Sequence, residues 1–247
     1  MPAEGVHASS QRFPPRIPVE GFALRAVIFA NGPIRFPALD RAHLRSGDWL
    51  IGADGGAHHL RALGLIPQTV IGDLDSLGPS DLLALEQAGV EILRHPPDKD
   101  QTDLELALRL ALARGADQAL VLGALGDRWD QTLANLLLPA AAGLEALALR
   151  LVDGPEEIVP LHAGQQVQIE GSPGDTLSLI PLGGEARGVT TRGLEYALTG
   201  GRLPFGATLG VSNRLIGPSA VVRLQHGLVL CILRRGAALD AEKARSR

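Results

Sequence analysis

From about Leu24 to Asp153 the chain alternates short apolar runs with helical stretches, and this alternation restricts the fold more than any other feature of the sequence. The runs LRAVIFA (24–30), DWLIGA (48–53), TVIGD (69–73), VEILRH (90–95), QALVLGA (118–124) and ALRLVD (148–153) have the nearly continuous apolar character of strands buried on both faces. Helical patterns lie between them at 55–63, 80–88, 102–114 and 130–142. TDLELALRLALARG is the clearest. Leu104, Leu108 and Ala111 share a stripe with Ala107 and Leu112, Thr102 is placed to cap the N-terminus, and Gly115 to stop the C-terminus. Such alternation predicts a mostly parallel sheet covered by helices on both faces.

From about Pro155 the pattern changes. EEIVPL, QQVQIEG, TLSLIPL, ARGVTTRG, ATLGVSN, SAVVRLQHG and LVLCILRR are short, β-rich and separated by Gly, Pro, Ser or Asn. Their spacing is that of a small β-sandwich. The expected fold is therefore α/β plus all-β: a mostly parallel α/β domain over 22–154, then a β-sandwich domain over 155–236. A proline-containing extension, 1–21, precedes them and a polar tail, 237–247, follows.

Bulk properties exclude several classes. A net charge of -4 makes the whole chain no polyanion binder, so no nucleic-acid partner is expected. No apolar run reaches the ~20 residues needed to span a bilayer, and the N-terminus lacks the apolar core of a signal peptide. The one cysteine, Cys231, permits no internal disulfide, which fits a reducing cytoplasm, and LVLCIL reads as burying it like a small apolar residue.

In an open parallel sheet, ligands bind beyond the carboxyl ends of the strands. Here those ends read ANGP (30–33), ADGGAHH (53–59), GDLDS (72–76), PPDKDQTD (96–103) and GALGDRWDQ (123–131). Asp54, Asp73, Asp75, Asp98, Asp100, Asp103, Asp127 and Asp130 all fall on that edge. So many carboxylates repel one another unless a cation compensates, and magnesium, a hard ion bound through carboxylates, phosphates and water, would do so. Lys99 and Arg128 add positive charge toward phosphates. Gly32, Gly55, Gly56 and Gly126 allow backbone N–H groups to approach an anion. The P-loop and dinucleotide fingerprints are absent. Taken alone, GDLDS fits equally a helix-capping turn, with Asp75 or Ser76 as the cap, and a metal site. His58, His59 and Trp129 read as surface or packing residues.

ADGGAHHL, IGDLDS, DKDQTDLELAL and GDRWDQTLANL, in this order, with RGLEYAL, GVSNR and VVRLQHGLVLCIL in the second half, closely resemble thiamine pyrophosphokinase of the bacterial type. The resemblance covers about residues 24 to 235. It implies transfer of the diphosphoryl group of ATP to the hydroxyl of thiamine, giving thiamine diphosphate and AMP. It also implies an ATP-binding, nucleotide-binding α/β domain, a thiamine-binding β-sandwich domain, and a homodimer with the active site at the dimer interface. By resemblance, Asp73, Asp75 and Asp100 hold Mg2+ and, with Asp103, are catalytic. Asn31, Gly32, Asp54, Gly55, Gly56, Lys99, Arg128, Asp130 and Gln131 surround ATP, and Tyr196, Ser212 and Asn213 contact thiamine. Three positions depart from the family: Asp127 replaces a loop glycine, Arg214 follows the SN pair, and Tyr196 stands where Trp is common. A same-fold diphosphokinase for another hydroxymethyl acceptor such as a pterin, and a non-catalytic nucleotide- or thiamine-sensing module, are the alternatives.

Overall fold

The computed structural model describes residues 24–236; the expected extension and tail lie outside the described residues. Strands β1 (Leu24–Phe29), β2 (Trp49–Ala53), β3 (Thr69–Gly72), β4 (Glu91–Arg94), β5 (Ala116–Leu122) and β6 (Ala148–Asp153) match the six apolar runs. They pair in parallel in the order β4-β3-β2-β1-β5-β6. Helices α2 (Gly56–Ala62), α3 (Pro79–Gln87), α4 (Asp103–Ala113) and α5 (Trp129–Leu137) fill the expected gaps, and a further short helix, α1 (Pro37–Arg41), precedes β2. The helix expected over 130–142 stops at Leu137 and tightens into a 3-10 turn over Leu138–Ala140. Pro139 lacks the N–H that would continue the ladder.

Both faces of the parallel sheet are buried, as continuous apolar runs require. Ala26, Ile28, Ile51 and Val121 pack with Leu104, Leu108 and Ala111 of α4. Val27, Phe29, Leu120 and Leu122 point the other way and pack with Leu60 of α2. Each large side chain so buried contributes about 1.5–3 kcal/mol relative to exposure. The Thr102 side chain accepts from the Glu105 N–H at 3.2 Å and fixes where α4 starts.

The change of pattern at Gly154-Pro155 coincides with a tight hairpin, not a linker. Across it β6 pairs antiparallel with β7 (Glu156–His162), Leu151 opposite Ile158. The sheet therefore runs on through β13 (His226–Arg234), β9 (Thr176–Arg192), β12 (Ser219–Arg223) and β8 (Gln166–Glu170). The short strands β10 (Gly201–Leu203) and β11 (Asn213–Arg214) pair with β9 off this path. The result is one mixed sheet with few helices. TLSLIPL and ARGVTTRG, expected as two strands, are the two ends of β9. One end pairs with β13 and the other with β12, and the glycines between them sit inside the strand. Leu177, Leu179, Val189, Val222, Val229 and Cys231 form the core of this half. Cys231 is fully buried, as LVLCIL suggests, and burial pushes its thiol up to about 12.

Candidate active site

β1 has β2 on one side and β5 on the other, so chain direction across the sheet reverses between β1 and β5. Loops leaving such a pair diverge and leave a crevice. A cavity of about 600 Å³ opens there, walled by the loops after β1, β2, β3 and β5 and by the first turns of α4 and α5. The Gly32 N–H donates to the Gly123 carbonyl at 2.9 Å, and a side chain on Gly32 would lie 2.4 Å from that oxygen. Only glycine lets the two loops approach so closely.

Three acids meet on one wall. Asp54 follows β2, Asp73 follows β3 and Asp103 opens α4, and one carboxylate oxygen of each lies within 4.8 Å of the others. The backbone is bent to achieve this: Asp54 has φ 48° and Leu74 φ 65°. Such conformations cost about 1–3 kcal/mol each in a non-glycine residue. At Leu74 the bend sends the side chain into an apolar cluster with Ala57, Val70, Leu77 and Val90, while Asp73 and Asp75 on either side border the cavity. Beneath the acids, Gly72 (φ 148°) leaves room that a methyl would fill, 2.9 Å from Asp103 Oδ1 and 3.2 Å from Asp54 Cβ.

Asp54 is the most tightly held of the three. Its Oδ2 accepts from Ser76 Oγ at 2.5 Å and from Asn31 Nδ2 at 3.2 Å. Its Oδ1 is buried without a hydrogen-bond partner. A buried carboxylate oxygen left so is costly unless a cation meets it. Asp103 Oδ1 is also buried, and its nearest cation is the Lys99 ammonium at 3.1 Å, which also reaches Asp73 Oδ2 at 3.4 Å. Burial raises the Asp103 carboxyl above the usual range; Lys99 offsets part of this, while Asp73 and Asp54 add to it. At Asp73, burial acts in the same sense but is outweighed by the Asp75 N–H and by Lys99, and the carboxyl lies below the usual range. Three carboxylates with no nitrogen or sulfur among them fit a hard divalent cation such as Mg2+.

The opposite wall belongs to α5. Arg128 and Gln131 border the cavity from its start. Asn135 Nδ2 donates to the Ala124 carbonyl at 2.7 Å and Thr132 Oγ1 accepts from the Gly126 N–H at 3.0 Å, which ties the β5 loop to the helix. Asp127 is balanced by Arg35, 2.8 Å away, which also reaches Asp153 at 3.3 Å. The negative charge that Asp127 adds to this loop thus comes with its own counter-charge.

Of the residues expected around ATP and metal, Asn31, Gly32, Asp54, Asp73, Asp75, Asp103, Arg128 and Gln131 border this one cavity. Gly55 and Gly56 lie buried at the start of α2, Lys99 touches the acids from outside the wall, and Asp130 pairs with Arg128 at 2.5 Å off the lining. The acids brought together are Asp54, Asp73 and Asp103, not the expected Asp73, Asp75 and Asp100. Asp100 is exposed and outside the cavity, because the chain turns before the Thr102 cap and delivers the first residue of α4 to the sheet edge. Tyr196, Ser212 and Asn213 do not border the cavity. They form a separate group, in which Asn213 Oδ1 accepts from the Tyr196 N–H at 3.1 Å and Asn213 Nδ2 donates to the Tyr196 carbonyl at 2.7 Å. Ser212, at φ 62°, donates its N–H to Ser178 Oγ at 3.0 Å. Sequence reasoning missed Ser76 as the partner of Asp54, and it missed Arg35, Thr132 and Asn135. The last two are polar residues three apart on α5, the spacing that places both on one helix face, which was a readable signal.

Comparison with known proteins gives the same reading from another direction. Residues 41–145 match the model of the thiamin pyrophosphokinase catalytic domain, and residues 164–229 that of the thiamin pyrophosphokinase vitamin B1 binding domain. Thiamine pyrophosphokinase of Bacillus subtilis (strain 168) is 30% identical over 182 residues, 74% of this chain and 85% of that protein. Thiamine pyrophosphokinase 1 of Oryza sativa subsp. japonica is 27% identical over 230 residues, 83% of this chain and 85% of that one. The crystal structure of the Bacillus subtilis protein superposes with a TM-score of 0.76 at 28% identity, covering 85% of this chain and 99% of that one. With this similarity running through both halves, the chain belongs to the thiamine pyrophosphokinase family.

Proposed function

We propose that this chain is a thiamine diphosphokinase: the hydroxyl of thiamine attacks the β-phosphorus of ATP, AMP leaves, and thiamine diphosphate forms. The observation that carries the reading is the Asp54–Asp73–Asp103 cluster, with the unpartnered Asp54 Oδ1, at the β1/β5 crevice of a chain of this family. Residues 22–154 are the ATP-binding catalytic domain and 155–236 the β-sandwich, thiamine-binding domain.

In phosphoryl transfer the protein's work is positioning and charge neutralisation. Asp54, Asp73 and Asp103 would hold Mg2+, with Asp75 on the same rim, and the bound ion would neutralise phosphate charge. Ser76 and Asn31 hold the Asp54 carboxylate through one oxygen and leave the other free. Arg128 and Gln131 present a guanidinium and an amide to the cavity from the positive end of α5, where phosphate oxygens are favoured. With ATP as donor, the reaction belongs in the cytoplasm.

The enzyme works as a homodimer with its active site at the dimer interface. Two observations support this. Tyr196, Ser212 and Asn213 stand off the ATP cavity, and Tyr196 is exposed, as are Phe205, Leu209 and Ile216 in the same half of the chain. Exposed apolar groups of this size are what a second copy covers.

AMP release from ATP, assayed with thiamine, with a hydroxymethyl pterin and with no acceptor, tests the assignment. Thiamine-dependent AMP is expected. AMP only with the pterin would reassign the acceptor, and ligand binding without AMP would make the chain a sensing module.

A further inference from the structure

Lys99 stands in an unusual relation to the acid cluster. Its ammonium lies 3.1 Å from Asp103 Oδ1 and 3.4 Å from Asp73 Oδ2, and its side chain is 8% exposed. It does not border the cavity. A lysine meant for phosphate presents its charge to the open space where phosphate sits; this one is turned onto the metal-site carboxylates from behind. Arg94, the other cation beside this loop, reaches the Asp73 carbonyl and not the carboxylates.

We propose that Lys99 is a built-in counter-cation of the cluster, which holds Asp73 and Asp103 in place before metal arrives and competes with the first divalent ion for them. The proposal rests on the reading that Asp54, Asp73 and Asp103 hold the metal. Three carboxylates within 4.8 Å of one another repel strongly, and one ammonium among them leaves two net negative charges, the complement of one divalent ion. The cluster therefore stays assembled without metal, at the cost of a weaker grip when metal binds, because the ammonium and the ion repel each other across the shared oxygens. Lys99 is thus a positioning residue that sets how much free divalent ion the site requires, and Asp54 Oδ1, which Lys99 does not touch, is the oxygen left open for the ion to meet first.

The test uses the whole chain and Mn2+ alone, without nucleotide, with binding read by calorimetry or by the loss of the free-ion resonance signal. Lys99→Met keeps the buried stem and removes the charge, Lys99→Gln is a second neutral variant, and Lys99→Arg keeps the charge. In the neutral variants Mn2+ binding is expected to tighten about tenfold, since a like charge close to the ion is gone. Their melting temperature in EDTA should fall, and the rise on adding Mn2+ should exceed that of the unaltered chain. Lys99→Arg should behave as the unaltered chain in both readouts. Unchanged or weaker Mn2+ binding in the neutral variants overturns the proposal, as does a complete lack of Mn2+ binding by the unaltered chain. Asp73→Asn separates the two ideas. If it binds Mn2+ as the unaltered chain does, the metal site itself has been misplaced. If it loses Mn2+ while the neutral Lys99 variants bind as before, only the role of Lys99 fails.

Discussion

Ser76 donates its hydroxyl to Asp54 Oδ2 at 2.5 Å, and this bond joins the loop after β3 to the end of β2 across the sheet edge. Asn31, from the loop after β1, bonds both partners at 3.2 Å. Three strand ends are thus fastened together through one carboxylate oxygen. Removing the hydroxyl by Ser76→Ala should lower kcat/KM about 10- to 100-fold, the usual effect of losing a group that orients a metal-binding side chain. The melting temperature should change little, because Ser76 is exposed. Steady-state AMP release and a thermal melt check both statements. Full activity in the variant would mean that Asp54 is oriented by other means.

Asp73→Asn and Asp100→Asn form a matched pair. Asp73 belongs to the acid cluster and borders the cavity, whereas Asp100 is exposed and does neither. Asp73→Asn should reduce kcat about a hundredfold or more, on the scale of losing one preorganised electrostatic group. Asp100→Asn should retain most activity. Loss of activity in both variants would return Asp100 to the metal site alongside Asp73, as expected from sequence, and full activity in Asp73→Asn would remove Asp73 from it.

Gly72→Ala places a methyl 2.9 Å from Asp103 Oδ1 at a φ of 148°, a conformation that side chains rarely adopt. A loss of about 1–3 kcal/mol in urea denaturation is expected from the backbone alone. Activity should fall further than that loss of stability explains, because the methyl pushes two of the three carboxylates apart.

The fold was legible where burial imposes a period. Val27 and Ile28 face opposite sides of the sheet and both are fully buried, so the buried stretch of β1 from Ala26 to Phe29 had to be apolar on both faces, and the run made it legible. β9 was not legible as one strand, because Gly183 and Gly184 carry the signature of a turn and only the pairing with β13 and β12 reveals their place. At the site, the motifs pointed to the sheet edge where the cavity lies. They could not choose between Asp100 and Asp103, since that depends on the residue at which α4 begins. Nor could they reveal that Ser76 serves Asp54, a bond between positions 22 residues apart that leaves no local pattern.

Asp40 offers a test by pH. Burial raises its carboxyl from 3.8 to about 6, although its Oδ1 accepts the Gly154 N–H at 2.9 Å. A carboxyl raised on folding stabilises the protein fully below its unfolded value, and that contribution is lost as pH rises through the folded one. The stability of the native chain relative to Asp40→Asn should therefore decline between pH 3.8 and about 6. Denaturation curves at several pH values across this window check it, and a difference independent of pH would contradict it.

β13 is the last strand of the described chain, yet it lies between β7 and β9. During synthesis both neighbours leave the ribosome before the strand that joins them, each with an open row of backbone donors and acceptors and with Leu161, Leu177 and Leu179 still lacking their cover. A polypeptide interrupted shortly before His226 would keep its aspartate motifs intact and still present two sticky sheet edges. Newborn chains of this protein are consequently prone to aggregate until β13 has emerged to join its two neighbours.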